Sequence, residues 1–236
     1  MDSSYNKTAS IHGSTHSTPV IAHYLRDPGS AITHLIGAVC TVAGAFPLLK
    51  RAYLSENTVS FVSMAIFLTS MFLLYTASTL YHSCMGSEKQ ILRFKKLDHS
   101  MISVLIAGTY TPVCLITLHG RTGNLLLAVI WGMAFLGILL KLFWVTCPKW
   151  LSSGVYLVMG WTCVLALPQL LKLLPAASFL FLLAGGIFYS IGAVIYALKL
   201  SIFNKSHPYF GSHEIFHLFV MAGSLFHYMV MMMLVS

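Results

Sequence analysis

Charge is what this sequence has least of. Only 8% of its 236 residues are Asp, Glu, Lys or Arg, against roughly a quarter in an ordinary soluble domain, so a soluble fold of this length is excluded. Asp and Glu together number 6, which leaves no acidic tail or carboxylate cluster. The Lys and Arg residues give a net charge of +8. They sit in short gaps between apolar runs rather than on one face, so nucleic acid is excluded as a partner and membrane topology explains the excess. Cys40, Cys84, Cys114, Cys147 and Cys163 are odd in number, scattered, and form no C-x-x-C; a disulfide framework is not expected, and the thiols read as free. Internal repeats, low-complexity tracts and a second domain are missing. Residues 1–29 are polar and carry no apolar core of a cleavable leader, so they read as a short cytoplasmic tail.

What is present is apolar sequence, 57% of the chain, gathered in blocks long enough to cross a bilayer as helices. Seven spans are predicted, at about 33–50, 59–81, 99–118, 124–145, 151–171, 177–199 and 213–235, with the first able to begin nearer Ser30. Residues 30–236 form an all-α, integral-membrane seven-helix bundle on this reading. Pro112 and Pro168 fall inside spans three and five, which a membrane helix tolerates where neighbours satisfy the freed carbonyl. Gly185, Gly186 and Gly192 in span six favour close helix contact. Of the 14 basic residues, Lys7, Arg26, Lys89, Arg93, Lys95, Lys96, Lys141, Lys149, Lys199 and Lys205 fall on one side; Lys50, Arg51, Arg121 and Lys172 fall on the other. The positive-inside rule puts the N-terminus in the cytoplasm and the C-terminus outside, the reverse of a G-protein-coupled receptor. The expected location is the plasma or inner membrane.

Ionisable groups at membrane depth are costly and mark function. The predicted topology brings four of them to one depth near the cytoplasmic boundary: His82 at the end of span two, Asp98 at the start of span three, and His213 and His217 at the start of span seven. His213 and His217 are four apart, on one helix face and about 6 Å from each other, a spacing at which two imidazoles can bind one metal. If spans two and seven touch, His82 completes a three-histidine set. Three nitrogens and an open position form the pattern of a catalytic zinc, with Asp98 placed to hold or deprotonate a water of lowered pKa. Ser78, one turn before His82, aims its hydroxyl along the same face. Each has a plainer reading: Asp98 as the N-terminal cap of span three, Ser78 as a bond back to the carbonyl at position 74, and the basic loop from Lys89 to Lys96 as a topology signal. His34, at the inner start of span one, is a candidate neighbour of the site. His227 lies about 15 Å along the helix from His217 and is left out.

His213-Glu214-Ile215-Phe216-His217 also matches H-E-x-x-H, in which Glu is the general base of a zinc protease. That reading ranks lower. The third ligand usually lies downstream, and the short stretch after His217 holds no Asp or Glu. Glu214 is also rotated by about 100° from His213.

Three stretches together resemble the hemolysin III family, the bacterial branch of the progestin and adipoQ receptor group that includes the adiponectin receptors. They are Ser78-Thr79-Leu80-Tyr81-His82; Leu97-Asp98-His99-Ser100 followed by Ile106-Ala107-Gly108-Thr109-Tyr110-Thr111-Pro112; and His213-Glu214-Ile215-Phe216-His217-Leu218-Phe219. The likeness runs from about Asp27 to the end. It implies seven helices with the N-terminus inside, zinc held by the residues that match His82, His213 and His217, and an aspartate matching Asp98 on the zinc-bound water beside a serine matching Ser78. Related alkaline ceramidases hydrolyse the amide bond of ceramide. The chain departs from the expected Glu-x-x-Asn-x-x-x-His pattern at Asp27, Ser30 and His34, where Asp keeps the charge and Ser loses an amide donor.

The resulting expectation is a zinc-dependent hydrolase of a membrane-lipid amide. Two further readings stay open: a non-enzymatic sensor or receptor of lipid state with structural zinc, and a pore-forming cytolysin. The last is poorly supported, because a water-filled pore needs polar faces along several spans and spans four and six are almost wholly apolar.

Overall fold

The computed structural model describes residues 25–198 and 210–236. Residues 1–24 of the polar tail, together with Lys199 and Lys205, lie outside that range. Within it the chain is helical: α1 (Pro28–Leu54), α2 (Thr58–Ser83), α3 (Glu88–Pro112) continued by a π-helical segment (Val113–Leu118), α4 (Gly120–Phe143), α5 (Lys149–Trp161), a 3₁₀ segment (Thr162–Ala166), α6 (Leu167–Leu173), α7 (Ala176–Leu198) and α8 (Ser212–Leu234). With α5 and α6 counted as one crossing, seven helical segments are long and apolar enough to span a membrane. The protein is a multi-pass membrane protein.

Local chemistry sets the helix ends. Pro28 opens α1, where its missing N–H is no loss and its fixed φ suits the first turn. The Asn57 side chain accepts from the N–H groups of Val59 and Ser60 and starts α2. Span three begins eleven residues before the expected 99, because the Gln90 side chain accepts from the Ser87 N–H at 2.8 Å and nucleates a polar, membrane-external start to α3. Hydropathy alone reads only the lipid-embedded part of such a helix. The cap reading of Asp98 is therefore overturned: it lies ten residues inside α3.

The fifth crossing is broken where Pro168, in the first turn of α6, cannot continue the hydrogen-bond ladder. Further back, where α5 gives way to the 3₁₀ segment, Tyr110 answers the loosened backbone. Its hydroxyl donates to the carbonyl of Gly160 at 2.7 Å and accepts from the N–H of Cys163 at 2.9 Å, which answers the backbone groups a lipid environment leaves without water.

Helices α1, α2, α3, α5, α7 and α8 contact one another in a closed circuit, and α4 packs outside it against α3 and α5. Close approach of α2 and α3 depends on Gly108, where a Cβ would fall 2.2 Å from Ser70 Oγ. The core joins Phe67, Met64, Leu74 and Tyr75 of α2 to Leu48 of α1 and Met231 of α8. Outward faces carry Val39, Phe46, Leu125, Leu136 and Leu180, the surface of a bundle solvated by lipid. Exposed Phe143, Trp144 and Trp150 cluster where α4 passes to α5, an interfacial position such rings favour.

Candidate metal centre

The starts of α1, α3 and α8 and the end of α2 share one end of the bundle, and three imidazoles meet there. One ligand atom each from His82, His213 and His217 can be chosen so that all lie within 4.8 Å of one another. The Nε2 atoms of His82 and His213 stand 3.2 Å apart. Two nitrogens bound tetrahedrally at about 2.05 Å from zinc are separated by about 3.3 Å, so this pair already sits at a coordination edge. Backbones of α2 and α8 do not pack closely; the long side chains bridge them, and α1 fills the space between.

Hydrogen bonds at the back of the rings decide which nitrogen faces the centre. His82 Nδ1 lies 3.0 Å from Asp27 Oδ2. The hydrogen bond from His82 holds the Asp27 carboxyl below its usual range, against the opposing effect of partial burial and with help from Arg26. Asp27 is therefore a carboxylate, Nδ1 carries the proton, and Nε2 keeps its lone pair. The Asp27 N–H also donates to the His82 carbonyl at 2.9 Å, which locks the two elements together. His217 Nδ1 lies 3.1 Å from Thr33 Oγ1. The Thr33 hydroxyl spends its own proton on the carbonyls of Gly29 and Ser30, so it accepts from Nδ1, and Nε2 of His217 is again free to act as a ligand. Carboxylate and hydroxyl partners of this kind orient metal-binding histidines. Nothing in the sequence marks Asp27 or Thr33 as a partner of these rings; the fold shows that α1 lies behind both.

His34 joins the cluster. Its ring stacks on His217 with centroids 3.6 Å apart and an interplanar angle of 8°, and neither of its nitrogens has a partner. Ser78 is 1% exposed, and its hydroxyl is likewise unpartnered, so it does not bond back to position 74. Asp98, 8% exposed, makes its nearest ionic contact with His99 at 3.4 Å rather than with the three histidines. Asp98, Ser78, His34, His213 and His217 all line one cavity of about 140 Å³. Orphaned buried polar atoms beside converging lone pairs form a donor set that fits zinc or another imidazole-loving divalent ion.

Glu214 does not face the centre. It accepts from Ser30 Oγ and, at 2.8 Å, from the Gly211 N–H, so it caps α8 and ties it to α1. That also accounts for Ser30 at this position: a hydroxyl suffices to reach the carboxylate. The H-E-x-x-H pattern is here a capping arrangement with two coincident histidines.

The family model described as "Haemolysin-III related" matches residues 22–228. The chain belongs to the hemolysin III family. It is 42% identical over 195 residues to "Hemolysin-3" of Bacillus cereus, covering 83% of this chain and 85% of that one. It is also 42% identical over 196 residues to "Hemolysin-3 homolog" of Bacillus subtilis, covering 83% and 87%. A more distant similarity, 26% over 222 residues, links it to "Adiponectin receptor protein" of Drosophila melanogaster, of which it covers 49%. This hemolysin III chain therefore carries its polar cluster on a membrane bundle related to that receptor.

Proposed function

We propose that the chain is a zinc-dependent hydrolase of a lipid amide, working near the cytoplasmic face of a cell membrane. The observation that carries this reading is the direction of the lone pairs. His82 and His217 are held with Nε2 forward by Asp27 and Thr33, and His213 meets them, beside a cavity whose other walls are mostly apolar.

His82, His213 and His217 would hold zinc, which would supply a Lewis acid for the amide carbonyl and lower the pKa of a bound water. Asp98 takes the proton of the attacking water and returns it to the leaving nitrogen. Ser78, with a free hydroxyl one turn below His82, orients the attacked group. Leu105, Ile106, Leu157 and Val220 hold the acyl chain and exclude bulk water. The chain passes in from lipid between α5 and α7: Gly160 and Gly186 line the cavity, and a Cβ on either would meet nothing within 4 Å.

Replacing Asp98 by Asn tests this. Purified variant should keep its metal and lose turnover of a ceramide-like amide by about 10²–10⁴-fold; turnover equal to wild type ends the proposal.

The weak backbone contact between α2 and α8 favours a second reading, in which the metal ties these helices in a lipid sensor without catalysis. Chelation would then lower the melting temperature in detergent while no lipid pool yields product.

A further inference from the structure

His227 belongs to none of the groups above, yet it lies on the wall of the same cavity. It follows His217 by ten residues on α8, so it sits about 15 Å further along the helix axis. It is 7% exposed. Its Nδ1 is 2.7 Å from the carbonyl of Gly223. A carbonyl can only accept, so Nδ1 carries the proton and Nε2 is a bare acceptor. Among the described residues no donor reaches that nitrogen. An acceptor that meets an apolar cavity without a donor forgoes a hydrogen bond that a suitable ligand can supply.

The seat of this ring is built. A Cβ on Gly185 would fall 2.4 Å from the His227 ring, and a Cβ on Gly223 would fall 2.7 Å from Tyr189. Tyr189 lies against the imidazole with centroids 5.2 Å apart. The Tyr75 hydroxyl donates to Ser224 at 2.7 Å, and the Tyr189 hydroxyl pairs with the same Ser224 at 2.8 Å; among the described residues neither tyrosine bonds Nε2. Gly185 leaves room for the ring, Gly223 leaves room for Tyr189, and Tyr189 covers one face of an imidazole that lines an apolar cavity.

We infer that the deep end of the cavity is a subsite for an amphiphile whose hydrocarbon chain carries a hydroxyl group, which donates to Nε2 of His227. The inference rests on the reading of the cavity as a lipid site. At about 15 Å from the histidine cluster, the hydroxyl belongs in the middle of an extended eighteen-carbon chain, not beside the head group.

The test is displacement of a fluorescent fatty acid from the purified full chain by stearate, 2-hydroxystearate and 12-hydroxystearate. The 12-hydroxy acid should compete at about tenfold lower concentration than the other two, the worth of one buried hydrogen bond. His227→Leu should remove that advantage and leave stearate binding within about twofold. Should that variant not fold, the wild-type ranking decides alone. Equal displacement by all three acids, as when water fills the site, overturns the subsite and leaves the lipid cavity standing. Preference for the 2-hydroxy acid overturns its placement. No displacement by any acid overturns both. Because turnover is not measured, absence of hydrolase activity together with a clear 12-hydroxy preference supports the subsite and counts only against catalysis.

Discussion

Two buried polar sets lie at the same end of the bundle, and they are finished differently. One is Lys141, Cys147 and Ser152. Lys141 is 1% exposed, and its ammonium donates to Cys147 Sγ at 3.1 Å and to Ser152 Oγ. Burial alone would push the Cys147 thiol up, but hydrogen bonds from Ser152 and Lys141 outweigh it and hold the thiol below its ordinary range. The buried cation is thereby answered within the set. The other set is His34, His82, His213, His217 and Ser78: Asp27 and Thr33 hold the outer nitrogens of His82 and His217, the imidazoles of His82, His213 and His217 bring ligand atoms within 4.8 Å of one another, and the His34 nitrogens and the Ser78 hydroxyl have no partner. A polar set whose members answer one another braces a helix junction; imidazoles that converge are arranged to receive a cation.

Several substitutions would break or sharpen that contrast. The largest effect belongs to Asp98→Asn, whose loss of turnover with metal retained separates base from ligands. Next is Asp27→Asn, which keeps the shape but weakens the hold on the His82 tautomer; metal affinity should fall about 10–100-fold by competition with a chelating dye. Thr33→Val removes the weaker, neutral partner of His217 and should lower affinity by less than Asp27→Asn in the same titration. Smallest for the metal is Lys141→Met, which should leave metal content unchanged. Its effect appears instead in the alkylation rate of Cys147, followed by mass spectrometry. In wild type that rate should rise with pH through a midpoint that the Lys141 ammonium holds down; without the ammonium the midpoint should move up. Equal midpoints in wild type and Lys141→Met would show that the set is not closed as described.

Much of the scaffold could be read from hydropathy, because lipid demands long apolar helices and little else. The seven spans and the shared end of His82, Asp98, His213 and His217 follow from counting turns. Other features depend on which helices are neighbours, and periodicity carries no such information. That α1 lies behind the site is invisible in Asp27 and Thr33 as single residues. That His34 stacks on His217, and that His227 shares the cavity wall, follow only from the closed circuit of helices. The early start of α3 was within reach, since Ser87 and Gln90 form a capping pair that hydropathy ignores. Glu214 shows the opposite failure: a motif complete in sequence whose acid is spent on α1 and the α8 cap.

Three converging imidazoles are a metal site only if they bind a cation. Elemental analysis of the purified full chain, wild type beside His82→Ala, tests this most directly. The expected result is about one zinc per wild-type chain and almost none in the variant. Equal metal content in the two, or a wild-type protein that is folded and active with no metal at all, would contradict it.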